Sequence, residues 1–465
     1  MGMECAPLFG RLEIMTSIDK ITRNNVVAVL NNALAIHSVN SAQIDYLWKY
    51  MRGQQPILSR KKKIRPEICN RVVENHAAEI AQFTSGYFLG EPVTYVRRGD
   101  RENTSGDISL LNDYMFFEDK ASHDKDMATW MAVCGVGYRM VLPNRAVNEN
   151  DYAPFELDTP DPRHTFVVYH SGFGHKRIMG VQQIFRENTP GDIKMICSVY
   201  TDTMYYEIED GVIKVERAHT LGDIPIFEYR LNMARMGSFE AAIPLLDGIN
   251  TIMSNRIDGV EQFVQSFLKF VNCEIEDDTV SKLRELGAIV IKSVQGMASD
   301  VDIVSQELNQ QQTQTLVDYL YDQVLVICGM PTTTKGGSST SDTGSAVLLR
   351  DGWTQCEARA RDTELLFKRS EKQFLRLVLR IIRETRAFDL NLAEVECKFT
   401  RRQHDNLQTK AQALLQMLQA GLSPEVAIAT SGLFNDPMDV TAQSKEYLRK
   451  WEYRDPLADV EVQEG

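Results

Sequence analysis

Val326-Ile327-Cys328-Gly329-Met330-Pro331-Thr332-Thr333-Thr334-Lys335-Gly336-Gly337-Ser338-Ser339-Thr340-Ser341-Asp342-Thr343 is where the chain declares its organisation. An apolar-periodic segment, Thr313–Cys328, stops at Gly-Met-Pro. A run of Thr, Ser and Gly with one Lys follows, and it has nothing to bury. From Gly344 to Arg386 a long helical pattern resumes. A stretch that cannot pack, held between two helices that can, is a part built to touch something mobile.

Working backwards, Phe239–Val271 reads as one long helix. Ile243, Leu246, Ile249, Met253, Ile257, Val260, Phe263 or Val264, Phe267 and Val271 recur at steps of three or four. At 1.5 Å per residue it would reach about 45–50 Å. Cys273–Gln306 is a small α/β insert, with a helix expected at Asp278–Leu286 and strands at Ala288–Lys292 and Val301–Val304.

Upstream, Tyr138–Tyr229 changes to short alternating segments: Tyr138–Leu142, Thr165–His170, Ile178–Phe185, Ile193–Tyr200, Tyr205–Ile208, Val212–Arg217 and Ile226–Tyr229. Gly-Phe-Gly, Pro-Gly-Asp, Asp-Gly and Gly-Asp-Ile-Pro turns separate them, and the whole predicts an antiparallel β domain. Before it, helices are expected at Ile21–Met51, Pro66–Phe83 and Lys125–Cys134, and a strand at Gly86–Val96. Residues 1–20 read as a loose terminus. After the long helix come a strand, Val395–Thr400, and at least three short helices over Gln408–Trp451. One of these opens at Ser423-Pro424. The tail from Asp455 is acidic.

The chain has 465 residues, enough for two to four domains, and a formal charge of −13. That charge argues against a sequence-reading DNA binder, which needs a basic face. It does not exclude a protein that lets DNA slide past, because acidic surface repels phosphate. The eight scattered cysteines form no C-x-x-C pair and read as reduced thiols. No apolar run approaches the roughly 18 residues of a membrane span.

Catalytic motifs fail on inspection. Asp342-Thr343-Gly344 spells an aspartic-protease signature but has no second copy to share a proton, and Asp342 or Ser341 serves better as a helix N-cap. Lys335-Gly336-Gly337-Ser338 has its glycines on the wrong side of the lysine for a phosphate loop. A metal site would require His164, His170 and His175 to converge, usually with a Cys or carboxylate, and they read instead as polar strand and turn histidines; His76 has no nucleophile paired with it in sequence. No catalytic group, metal or cofactor is expected. The basic run Arg60–Arg65 reads as a solvated turn or a subunit contact.

Several motifs occur in a set order. Tyr50-Met51-Arg52-Gly53-Gln54-Gln55-Pro56-Ile57-Leu58 comes first, then Arg65-Pro66-Glu67, Val72-Val73-Glu74-Asn75-His76 and Gly90-Glu91-Pro92. Gly237-Ser238-Phe239-Glu240, Asn250, Ser254-Asn255-Arg256-Ile257-Asp258 and Gly329-Met330-Pro331 follow. In this order and spacing, over roughly residues 20–400, the chain resembles the portal proteins of siphophages and prophages of Gram-positive bacteria.

The resemblance implies an α+β multidomain fold in a ring of about twelve subunits. Residues 21–238 would be an α/β wing, 239–272 and 309–329 two stem helices, and 273–308 a clip. Residues 330–343 would be a tunnel loop, 344–401 a long wing helix and strand, and 402–465 a crown with the acidic tail. It implies a DNA-facing loop at Thr332, Thr333, Thr334, Lys335, Ser338 and Ser339. The candidate channel-lining acids are Glu261, Asp318 and Asp322, and the candidate docking residues of the clip are Glu274, Glu276, Asp277, Asp278, Lys282 and Lys292. The partners it implies are further copies of the chain, double-stranded DNA read without sequence preference, the terminase large subunit, scaffold and major capsid protein, and head-completion proteins. No membrane is involved; the protein would sit at the capsid vertex and, during assembly, in the host cytoplasm. The rival readings are another phage head protein, or an enzyme with a cryptic site.

Overall fold

The computed structural model describes residues 10–63, 65–98, 105–144, 153–189, 191–264, 267–271, 273–274, 292–293, 300–304, 310–332, 353–385, 388, 390–399, 407–434, 440–441 and 443–444. The chain divides into two compact units. The larger draws on residues 5–52, 76–241 and 325–465, the smaller on 53–75 and 242–324.

In the larger unit, six strands follow one another as β1 (Met15–Thr16), β5 (Thr165–His170), β6 (Arg177–Thr189), β7 (Asp192–Tyr200), β8 (Met204–Glu209) and β9 (Val212–Ala218). All neighbours are antiparallel except β1, which runs parallel to β5 and pairs Met15 with Tyr169. A second sheet holds β10 (Ile226–Arg230), β3 (Val136–Pro143) and β4 (Phe155–Asp158). The β region expected from alternation is therefore two sheets, with β4 an extra strand. A third pairing joins β2 (Thr94–Arg97) to β15 (Val395–Lys398).

Helix α1 (Val26–Met51) lays Val26, Val29, Leu30 and Ala33 on the inner face of the six-stranded sheet, against Phe166, Val168, Met179, Val181 and Tyr206. Two polar residues continue its buried stripe. His37 Nε2 lies 2.9 Å from the Arg163 carbonyl, and burial lowers its pKa to about 4. Asn40 pairs with the backbone of Leu12 through two 2.8 Å hydrogen bonds, as a neighbouring strand would. Residues 10–16, expected to be loose, are thus fastened. Glu240 adds to this by accepting from Gly10 N–H at 3.2 Å and from Arg11 at 2.6 Å.

Helices α2 (His76–Phe88), α3 (Ser105–Phe117) and α4 (Lys120–Cys134) precede β3. Gly135 ends α4 at φ 82°, and a Cβ there would lie 2.3 Å from the Arg235 carbonyl, so only glycine allows the turn. Helix α3 has no counterpart among the sequence expectations. The strand expected from Gly86 begins only at Thr94, because Gly86–Phe88 completes the last turn of α2.

The long helix is α7 (Trp353–Thr385). Residues 344–352, expected to begin it, lie outside the described residues. Its end, Phe374–Ile382, buries Phe374, Leu375, Leu377, Val378, Leu379, Ile381 and Ile382 in the core shared by α3, α4, β3 and β10. Helices α8 (Leu407–Gln419) and α9 (Pro424–Ser431) follow, with Ser423 and Pro424 at the expected cap and first-turn positions of α9.

At the middle of α7 sits a buried charge cluster. Glu371, 0% exposed, faces Lys120 Nζ at 3.2 Å and Arg139 Nη1 at 3.1 Å. Asp124 pairs with both cations, with Lys120 at 2.6 Å. The Tyr229 hydroxyl donates to Glu371 at 2.5 Å, and that of Tyr95 donates to its other oxygen. Burial alone would raise the Glu371 pKa, but Lys120 and Arg139 outweigh it and hold the carboxyl well below the usual range. Burial lowers Lys120 to about 8 even with Glu371 opposing it.

Candidate functional site

In the smaller unit, helix α5 (Ile243–Val264) follows a 3-10 turn at Glu240–Ala242. The helix expected over 239–271 therefore ends early. Phe267–Val271 is strand β11, antiparallel to β14 (Asp300–Val304), with Phe267 opposite Val304 and Val271 opposite Asp300. Phe-Leu-Lys-Phe-Val suits a pleated ribbon, and the pairing with β14 overrides the helical spacing. Beside it β12 (Cys273–Glu274) pairs with β13 (Lys292–Ser293). The chain returns through helix α6 (Gln310–Cys328).

The helix expected at Pro66–Phe83 starts only at His76, and the reason lies on α5. Asn250, Ser254 and Asp258 stand one turn apart on one face. Their side chains accept the backbone N–H groups of Glu74 at 2.8 Å, Val72 at 3.0 Å and Asn70 at 2.7 Å. One helical turn rises about 5.4 Å and two strand residues about 6.6 Å, so alternate amides of an extended segment meet successive turns. Asn250 also donates to Gln55 at 2.5 Å, and Gln55 donates to Asn75 at 3.1 Å.

Asp258 takes Lys62 at 2.7 Å and Arg60 at 3.1 Å besides the Asn70 amide. Burial opposes its ionisation, yet Lys62 and the Asn70 donors hold the carboxyl below its ordinary pKa. Part of the basic run is thus internal wiring. These anchors were among the residues carrying the resemblance, but their role was missed. The available signal was a polar stripe at i, i+4, i+8 on an otherwise apolar helix.

Of the candidate channel acids, Glu261 is exposed on the last turn of α5. Asp318, also exposed, accepts from Gln314 at 2.7 Å, while Gln314 accepts from Arg256 of α5 at 2.5 Å, so this acid is linked into a tie between the two helices. Asp322 is half-buried on α6. Glu274 and Lys292 are register partners across β12 and β13. Glu276, Asp277, Asp278 and Lys282, with the helix expected at Asp278–Leu286, lie outside the described residues. Thr332 is 8% exposed, and Thr333, Thr334, Lys335, Ser338 and Ser339 lie outside the described residues, as do Ser341 and Asp342.

Among the described residues no group of His, Cys, Asp and Glu is arranged to hold a metal ion. His170 Nδ1 accepts the Gly172 N–H at 3.0 Å and its Nε2 lies 3.0 Å from Asp19, while His164 stacks edge-on against Phe185. No described helix is long and apolar enough to cross a membrane.

The family model described as "Phage portal protein, SPP1 Gp6-like" matches residues 30–452. The chain belongs to this family. The portal protein is a structural component of a phage head, placed at the portal vertex. No curated protein sequence matches the chain. A solved structure titled "Neck of empty GTA particle computed with C6 symmetry" is similar at 12% identity and a TM-score of 0.46, over 77% of the portal protein and 90% of that chain.

Proposed function

We propose that the portal protein closes into a ring of about twelve copies whose bore passes double-stranded DNA during packaging and ejection. In this reading α5 and α6 are the stem, the β11–β14 insert is the clip, residues 330–343 are the tunnel loop, and α7 crosses the wing. The C-terminal helices form the crown. The clip receives the terminase large subunit and later the head-completion proteins, while scaffold and major capsid protein surround the wing.

The observation that carries the reading is the pair of helices flanking a small β insert. Leu316 (47% exposed), Tyr319 (59%) and Val326 (40%) form a stripe along α6 that a single chain leaves bare. Neighbouring copies would cover such a stripe. Glu261 and Asp318 then supply acid toward the bore. Twelve chains at −13 each carry −156, a wall to which phosphate does not stick.

Electron microscopy of the purified protein, with its mass in solution, tests the ring. The expected particle has a central hole and about twelve-fold symmetry; a closed dimer or tetramer without a channel would refute it. The loop has its own test. Replacing Lys335 by alanine and shortening 332–339 is expected to lower DNA packaging and retention while rings still form. Unchanged packaging would remove the loop from the DNA path.

A further inference from the structure

The basic run at residues 60–63 divides by alternation. Arg60 and Lys62 turn inward onto Asp258 of α5. Lys61 and Lys63 are exposed, and so is Arg71 on the extended stretch that returns along α5. Leu58 adds an apolar side chain that is 43% exposed. The side chains that hold this segment to α5 are others: Gln55, Arg60, Lys62 and Asn70.

Helix α5 separates the segment from α6. Arg256 donates to Gln314 of α6, while Ser254, about 160° round the helix from Arg256, accepts the Val72 amide. The segment and α6 therefore flank α5 on nearly opposite sides. On α6, Gln314 marks the side turned to α5. Leu316 lies about 160° from it and Tyr319 about 140°, and both are bare. The smaller unit thus has two outer faces. One is basic. The other belongs to a helix, Gln310–Cys328, that holds Asp318 and Asp322 and no basic residue.

The two faces stand at one level. Gln55 meets Asn250 and Arg60 meets Asp258, which places Leu58 between those turns of α5. Arg71 lies between Asn70, held by Asp258, and Val72, held by Ser254. Gln314 is level with Arg256, and Leu316 is about 3 Å along the helix from it. Turning a copy about an axis that runs along these helices leaves every level unchanged. Opposite faces at one level, complementary in charge and both partly apolar, make a head-to-tail contact, the kind that generates rings when its rotation closes.

We propose that the 58–71 face of one portal subunit docks on the outer face of α6 of the next subunit around the ring. Leu58 packs on Leu316, and Arg71 lies over the Tyr319 ring. Lys61 and Lys63 sit in the field of the carboxylates of the same helix. This rests on the ring reading above, and the test separates the two. The full-length chain is prepared as wild type, Arg71→Glu, and Leu58→Cys combined with Leu316→Cys.

By mass photometry across concentration, Arg71→Glu is expected to dissociate at a concentration about 30-fold or more above wild type. Added salt is expected to weaken wild type more than the variant. Circular dichroism is expected to stay unchanged, since Arg71 is exposed and its neighbours Asn70 and Val72 are held through backbone amides. Within one chain Leu58 and Leu316 stand on opposite sides of α5, and a disulfide needs Cα atoms within about 7 Å, so a bridge joins two copies. Under mild oxidation the double-cysteine variant is expected to give a ladder of covalent multimers beyond the dimer that neither single variant gives. An Arg71→Glu ring as stable as wild type, with no ladder, overturns the proposal and leaves the ring reading standing. That is the result if a different protein covers the outer face of α6. A bridge that stops at the dimer also overturns it, because a head-to-tail contact continues to the next copy. A wild-type protein that never associates, or that forms only closed dimers, overturns both.

Discussion

Glu371→Gln is expected to cost the larger unit about 3–5 kcal/mol, seen as a large fall in its thermal midpoint. The amide keeps the shape, and its one oxygen still accepts from one of Tyr95 and Tyr229 while its NH2 faces the other hydroxyl, so packing is preserved. What disappears is the charge that Lys120 and Arg139 face inside the protein, leaving two buried cations with Asp124 alone. Arg361→Ala serves as the comparison. Its ion pair with Glu357 is also on α7, but the arginine is 68% exposed, and the expected loss is under about 1 kcal/mol. Equal effects of the two changes would show that the buried cluster contributes nothing beyond a surface pair.

The same cluster sets an acid limit. The folded-state pKa of Glu371 lies below its unfolded value, so its contribution is complete above the unfolded value, near 4.3. It fades as pH falls through the depressed value. Wild type is expected to lose stability steeply below about pH 4, and Glu371→Gln to lose less over that interval, because its own loss has already been taken.

Asp258→Ala is expected to release the 70–74 segment from α5, at about 2–3 kcal/mol for a carboxylate holding several charge-assisted bonds. Hydrogen exchange reads it out: the Asn70 amide is expected to lose protection first, while Glu74, held by Asn250, retains more. Asp258→Asn keeps an acceptor for Asn70 and is expected to cost less than Ala. Because Lys62 and Asn70 lower the pKa of this carboxyl, wild-type protection of Asn70 should persist below the ordinary Asp value near 3.9 and vanish only at more acid pH. If exchange at Asn70 is the same in Asp258→Ala and wild type, the ladder does not hold the segment.

Local chemistry was readable where a segment's neighbours in space are also its neighbours in sequence. The β5–β9 meander is the case in point. Asp210-Gly211 and the other turn signals cut the strands to within four residues of where they end, because a hairpin's partner is the next segment along. The apolar end of α7 was equally plain, since 3.6-residue periodicity is a property of the helix itself.

Reading failed where a distant partner decides. Pro66-Glu67 has a helix-opening signature, yet 70–74 is extended because α5, some 180 positions later, offers acceptors one turn apart. Phe267–Val271 continues a helical spacing, yet β14 claims it. Residues 10–16 carry no strong pattern, and Asn40 and Glu240 fasten them from afar.

By itself the sequence determined the family, through the order of motifs from Tyr50 to Pro331, together with the meander, the long helix and the acidic balance. Each is encoded in local spacing or in composition. Only the tertiary structure decided which charges are buried, which polar side chains on α5 are structural anchors, and which faces of the smaller unit stay bare. Those depend on which surfaces meet across hundreds of residues, and no window of sequence contains that information.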